Sequence, residues 1–278
     1  MVNLNGNISS EENLLAGNRG LLYGDSVFET LRILDGRVLF IEDHYFRLMA
    51  SMRVVRMEIP MHFTMEYLEQ QVMSLVQHEK LEKSARARVT VYRNGGGFYL
   101  PKENNVSFLI TASELHHMEY AIENKLYEVE LYKDFFVSKQ LLSSIKSSNR
   151  ILNVAGSIFA SENGYDNCLL VNQDKNVVEA LNGNLFLVSG NRLITPPISE
   201  GCLNGVMRKQ VLALAEKMES VEVAEEPISP FDLQKADELF VTNVIAGIQP
   251  ITKYRKKEYM TVLSKQLLLR LNAQIRLL

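Results

Sequence analysis

Two strand-like runs, Ser26–Leu34 and residues 37–41, meet at Asp35-Gly36, and this junction constrains the fold more than any other short stretch of the chain. Asp-Gly accepts the positive dihedrals of a two-residue hairpin turn, so the two runs pair antiparallel. A lone hairpin is marginal in water and needs further strands or a helix over its apolar face. The following residues supply both. Tyr45, Leu48, Met49, Met52 and Val55 recur at steps of three and four, which predicts an amphipathic helix over 43–56 that ends before Pro60. A second helix is read over 64–78. Ala85, Ala87, Val89 and Val91 then alternate with Arg86, Arg88, Thr90 and Tyr92, the period of a half-buried strand, and 106–112 reads as another. Asn94-Gly95-Gly96-Gly97 between them reads as a flexible loop.

The polar stretch 114–123 carries His116, His117 and several acids without a strand or helix period, and it serves as the expected linker. Beyond it, 127–137 reads as a strand, 149–163 as a helix stopped by Gly164, and Asn167–Asn172 as a strand. Short strands Val177–Ala180, 184–189 and Arg192–Thr195 follow, closed by Pro196-Pro197. A helix over 205–218, one starting at Ser229-Pro230, a strand over 238–242 and a terminal helix complete the chain. Strands mixed with helices in two halves make this an α/β (α+β) protein, divided as 1–115, a linker 116–125, and 126–278.

With 278 residues, 46% hydrophobic and 23% charged, and a formal net charge of -3, the chain has the composition of a globular protein. It lacks the basic excess of a nucleic-acid binder, which points to a small-molecule partner. Cys168 and Cys202 are the only cysteines, too few for a disulfide framework, and no Cys/His cluster has the spacing of a structural zinc site, so no metal is expected. Residues 1–15 are polar, and no apolar run reaches membrane-spanning length. The expected setting is the cytoplasm.

Four features could carry chemistry. Lys146 lies in a serine-rich segment between a strand and a helix, where a lysine is usually a solvated charge. Glu179 stands inside an apolar strand, Val178-Glu179-Ala180, and a carboxylate there wants a cationic partner because desolvating it unpaired is costly. Gly205-Val206-Met207-Arg208 opens a helix whose first amides attract phosphate, although a glycine-preceded helix start is commonly nothing more. Arg47, alone, could simply pair with a neighbouring acid.

Taken in order, Gly20 to Arg32, His44 to Leu48, Lys146 to Arg150, Glu179 with Asn184-Leu185-Phe186, Thr195-Pro196-Pro197, Cys202 to Arg208, and Glu238 to Asn243 with Pro250 resemble the class IV aminotransferase family over nearly the whole chain. The resemblance implies the type IV fold of pyridoxal 5'-phosphate (PLP) enzymes, a smaller N-terminal α/β sandwich lobe with a larger C-terminal α/β barrel-like lobe, and a homodimer. It implies a Schiff base between Lys146 and the cofactor, and proton transfer by Lys146 at the amine-bearing carbon of a small amino substrate. By the same resemblance Glu179 faces the pyridine nitrogen, Arg47 with the amides of Val206 and Met207 holds the phosphate, and Gly205, Asn184, Asn243 and Val244 complete the cup. Tyr23, Phe28, Arg32 and Arg93 fall on the substrate side.

Departures within these motifs narrow the resemblance. The family's aminotransferases usually place a threonine where Met207 stands, and the branched-chain enzymes another where Val244 stands. The block Asn204 to Arg208, the block Lys146 to Arg150 and the pair Thr242-Asn243 are more similar to the aminodeoxychorismate lyase branch. That branch implies a part in making 4-aminobenzoate for folate; transamination of branched-chain or related amino acids is the alternative.

Overall fold

The computed structural model describes residues 1–9, 18–123 and 125–277. Residues 10–15 of the polar start and Asn124 of the expected linker lie outside them. The chain forms two compact units, one of residues 1–118 with 145–149 and one of 119–144 with 150–278. The first division falls inside the stretch read as a linker. The return of 145–149 to the first unit, in contrast, breaks the continuous 126–278 lobe expected from sequence.

The first unit contains β1 (Val2–Leu4), β2 (Asn7–Ser9), α1 (Arg19–Tyr23), β3 (Ser26–Leu34), β4 (Arg37–Val38), α2 (Ile41–Val54), α3 (Met65–His78), β5 (Ser84–Arg93) and β6 (Val106–Glu114). The strands form one sheet in the order β2-β1-β6-β5-β3-β4. Asp35 and Gly36 take φ of 47° and 72°, the doubly left-handed pair that the hairpin demands. The second strand is shorter than the expected 37–41. After Leu39 donates its amide to the Arg32 carbonyl, Phe40 turns left-handed at φ 56° and α2 begins at once, with Glu42 and Asp43 facing its positive end. Helix α3 starts where Thr64 accepts the Tyr67 amide. Leu48, Met52, Leu68, Val72 and Leu75 of the two helices share a core with Val27, Leu31, Ala87, Val89 and Val91 of the sheet.

Residues 145–149 join this unit as an added extended segment. The Phe28 amide donates to the Lys146 carbonyl at 2.8 Å, the Ser148 amide to the Ser26 carbonyl at 2.9 Å, and Ile145 enters the same core.

The second unit contains β7 (Glu128–Val137), α4 (Leu141–Ser144), α5 (Ile151–Glu162), β8 (Asn167–Asn172), β9 (Val177–Ala180), β10 (Gly183–Ser189), β11 (Arg192–Thr195), α6 (Val206–Ala215), β12 (Glu222–Glu225), α7 (Pro230–Lys235), β13 (Glu238–Asn243), β14 (Gly247–Ile251), β15 (Lys253–Tyr254), β16 (Lys257–Glu258) and α8 (Val262–Leu277). These ten strands make one mixed sheet that branches at β10, whose partners are β9, β11 and β13. Strand β14 was not anticipated because Pro250 interrupts its pattern. Among the described residues it pairs with β13 alone, so it is an edge, where a residue without an N–H is tolerated. Among the described residues no helix is long and apolar enough to cross a membrane.

Candidate active site

In the first unit the alternation of β3 and β5 sorts residues to two faces. Val27, Leu31, Val89 and Val91 enter the core beneath the helices. Phe28 pairs with Thr90, Thr30 with Arg88 and Arg32 with Arg86, so these six share the other face. Lys146 belongs there too: its Nζ is 4.7 Å from the centroid of the Phe28 ring, and the Arg88 guanidinium carbon is 3.7 Å from the same centroid. An aromatic ring attracts such cations through its quadrupole. Arg88 and Arg86 carried no role in the sequence reading; their signal was two cations at successive positions of the face of β5 opposite Ala85, Ala87 and Val89.

Glu29 is the exception on the core face. Its fully buried carboxylate receives Arg47 Nε at 2.7 Å on one oxygen, and Arg47 Nη2 at 2.5 Å and His44 Nδ1 at 2.7 Å on the other. His44 and Arg47 are three residues apart, hence on the same side of α2. Burial alone would raise the Glu29 carboxyl, but the Arg47 charge and the bonds from Arg47 and His44 outweigh it and hold it at about 2. Burial pushes His44 below its ordinary range, partly opposed by Glu29, so the ring is neutral near pH 7. Its Nε2 is buried without a hydrogen-bond partner among the described residues. This cluster, too, was missed, because a glutamate inside a strand carries no local signal of a helix packed over it.

The remaining substrate-side candidates are engaged elsewhere in the unit. Arg93 donates to Asp25, Asn104 and the carbonyls of Val55 and Arg56. Arg32 is buried and donates to the His117 carbonyl. Tyr23 lies under the Arg19 guanidinium and 5.9 Å from the Tyr99 ring.

In the second unit Glu179 and Asn184 are opposite one another on β9 and β10, and both hold the backbone of Leu203. The Leu203 amide donates to Glu179 Oε2 at 2.9 Å, and Asn184 Nδ2 donates to the Leu203 carbonyl at 2.8 Å. Gly205 follows as the N-cap of α6 and supplies no side-chain cap. A Cβ on it would sit 1.9 Å from Asn184 Oδ1, so any side chain here must displace Asn184. The ten-residue helix begins with Val206 and Met207, both buried. At the end of β13, Asn243 Oδ1 accepts the amides of Ile245 and Ala246, the Val244 carbonyl accepts the Tyr120 hydroxyl, and Thr242 Oγ1 is buried without a hydrogen-bond partner among the described residues. Cys202 is buried nearby. Burial first, and then the Glu179 charge, push its thiol up to about 12, which makes it a poor nucleophile.

Each unit, taken by itself, holds groups that suit part of a phosphorylated pyridine aldehyde. The buried first turn of α6 offers amides that no side chain caps, Thr242 offers an orphaned hydroxyl, Glu179 offers a buried anion, and Lys146 offers an amine held against a ring. Among the described residues no group of three or more His, Cys, Asp or Glu could hold a metal ion.

Comparison with known proteins points the same way. The family model described as amino-transferase class IV matches residues 26–254. A protein of Methanocaldococcus jannaschii assigned as a branched-chain-amino-acid aminotransferase is 32% identical over 250 residues, covering 89% of this chain and 85% of its own. The branched-chain aminotransferase of Thermoproteus uzoniensis, solved with norvaline, superposes with a TM-score of 0.86 at 23% identity over 97% of this chain and 92% of its own. The 4-amino-4-deoxychorismate lyase of Pseudomonas aeruginosa gives 0.85 at 24% identity over 99% of both chains. Both structures speak for the fold alone.

Proposed function

Because the chain belongs to the class IV aminotransferase family, whose members are PLP enzymes, we propose that it is a 4-amino-4-deoxychorismate lyase, releasing pyruvate and 4-aminobenzoate for folate synthesis. The observation that carries this reading is the cationic sheet face beside Lys146. Arg88 and Lys146 share the Phe28 ring, and Arg86 stands two residues along the same strand without a hydrogen bond or ion pair among the described residues. Successive residues on one strand face are about 7 Å apart. Two arginines at that spacing suit a substrate with two carboxylates, whereas a branched aliphatic side chain wants apolar walls.

When bound, the cofactor supplies an electron sink for the negative charge left on the substrate carbon. Lys146 would hold its aldehyde and, as a free amine, would take the proton from the substrate ring carbon that bears the amino group. The same ammonium can then protonate the departing enolpyruvyl carbon, giving pyruvate and an aromatic ring. Glu179, held in place by the amide of Leu203, would keep the pyridine nitrogen protonated. Arg47 and the amides of Val206 and Met207 would hold the phosphate, with Gly205, Asn184, Asn243 and Val244 as the further cofactor-side residues. Phe28, together with Arg88 and Arg86, orients the carboxylates; Tyr23, Arg32 and Arg93 brace the surrounding loops. We place the enzyme in the cytoplasm, as a homodimer, without nucleic-acid or membrane partners.

The second reading is amino transfer from a branched-chain or related amino acid, favoured by the 32% identity to the Methanocaldococcus jannaschii protein. It would use the same residues, with Lys146 moving the proton without loss of a leaving group. An assay of purified holoenzyme on aminodeoxychorismate and, in parallel, on a panel of amino donors with 2-oxo acids separates them. Equal yields of 4-aminobenzoate and pyruvate support the lyase; transfer that requires a 2-oxo acid, with no 4-aminobenzoate, rejects it. Borohydride reduction and peptide mapping should tag Lys146, and a tag on another lysine sinks both readings.

A further inference from the structure

We propose that Glu29, backed by His44, is the positioning residue that aims Arg47 at the cofactor phosphate, an inference that rests on the reading of Arg47 as a phosphate ligand. Arginine reaches its targets on a long side chain with several rotatable bonds, and an unsupported guanidinium loses considerable rotamer entropy when it grips an anion. Here that freedom is already removed. Glu29 takes Nε and one Nη of Arg47 in a two-point bond, the geometry that fixes both the direction and the plane of the fork. Glu29 itself cannot turn, because Oε2 is also held by His44 Nδ1. Of the three side chains, Glu29 and His44 are wholly buried and only Arg47, at 11% exposure, reaches the surface of its unit. The cluster therefore leaves Arg47 as the one member of the trio that is not wholly buried, on a base held at two points.

The arrangement is costly unless it has a task. A buried carboxylate, imidazole and guanidinium in contact with a core built of Val27, Leu31, Leu48 and Val89 are, as a set, often replaceable by well-packed apolar residues at no cost in stability. The His44 Nδ1–H donates to the carboxylate, leaving Nε2 as an acceptor with no partner among the described residues. A neutral His44 leaves Glu29 and Arg47 as the only formal charges of the trio, so the base contributes orientation and no surplus positive charge.

The test compares PLP with pyridoxal, which lacks the phosphate, by titrating the apo-protein and following the absorbance of the bound ligand. Glu29→Gln should lower the ratio of PLP affinity to pyridoxal affinity by roughly tenfold to a hundredfold, the worth of one well-aimed charge-assisted hydrogen bond, while pyridoxal affinity stays within about twofold. Glu29→Asp, which retains the charge but withdraws it by one methylene, should give an intermediate loss and serves if the glutamine variant does not fold. A purely structural role would weaken both ligands together and leave the ratio intact, which overturns the proposal, as does a ratio that rises. Arg47→Gln is run beside them. If it too leaves the ratio unchanged, the reading of Arg47 as phosphate ligand fails; if it collapses the ratio while both Glu29 variants keep it, only the positioning role of Glu29 fails.

Discussion

Glu29 and His44 tie stability to acid in the same direction. The folded carboxyl of Glu29 titrates at about 2 against 4.5 in an unfolded chain, so its contribution is complete above 4.5 and is lost as pH falls from there towards 2. The difference corresponds to on the order of 3 kcal/mol for this buried group. His44 stays neutral in the folded protein while the unfolded chain takes up a proton below about 6.5, so its contribution is likewise lost as pH falls below that point. Urea midpoints should therefore decline as pH is lowered from 7, with the upper part of the decline absent in His44→Gln. A midpoint that is flat between pH 7 and 4 rejects this assignment. Gly205 makes a prediction of a different kind. Its φ of -74° suits any residue, so only the approach of Asn184 forbids a side chain. Gly205→Ala should push Asn184 off the Leu203 carbonyl, cost about 1–3 kcal/mol in urea unfolding, and weaken PLP binding measurably.

At the level of elements, most helices and strands were legible because their periods are strong and their ends are chemically marked. Thr64 caps α3, and Ser229 caps α7 through a reciprocal pair of bonds with Asp232. Ser229→Ala should lower stability by about 1 kcal/mol, seen as a smaller urea midpoint with an unchanged slope. Where the sequence misled, a neighbouring element decided. The run 37–41 has strand composition to its end, yet Phe40 turns because α2 must begin over the sheet. The pattern of β14 is broken by Pro250, yet the strand forms because only one of its edges needs donors.

On the scale of the whole chain, each unit has its own core, and membership does not follow chain order. Ile145 lies in the middle of the second unit's sequence but is buried with Leu31 and Leu48 of the first. Ile145→Ala should thus cost about 2–5 kcal/mol, and hydrogen exchange should show the loss in β3 and β5 rather than in the flanking α4 and α5. Protection lost mainly around α5 would contradict this. The stacked pair Phe186 and Phe240, 5.1 Å apart in the second unit, provides the matching control, whose loss should leave β3 and β5 protected.

What the sequence by itself determined is whatever depends on near neighbours: the Asp35-Gly36 turn, the helix periods of α2 and α3, the strands around Glu179, and the ordered motifs that placed Lys146, Glu179, Arg47 and the start of α6 in one family. Only tertiary structure decided which distant groups meet. Lys146 reached Phe28 and Arg88 because residues 145–149 add an extended segment to β3, more than a hundred residues away in the chain. Glu29 came to serve Arg47 because α2 lies across the sheet at that point. The physical reason is the same in both cases: local periods specify which face a side chain occupies, but the energy of a buried charge depends on partners that only folding brings within hydrogen-bond distance.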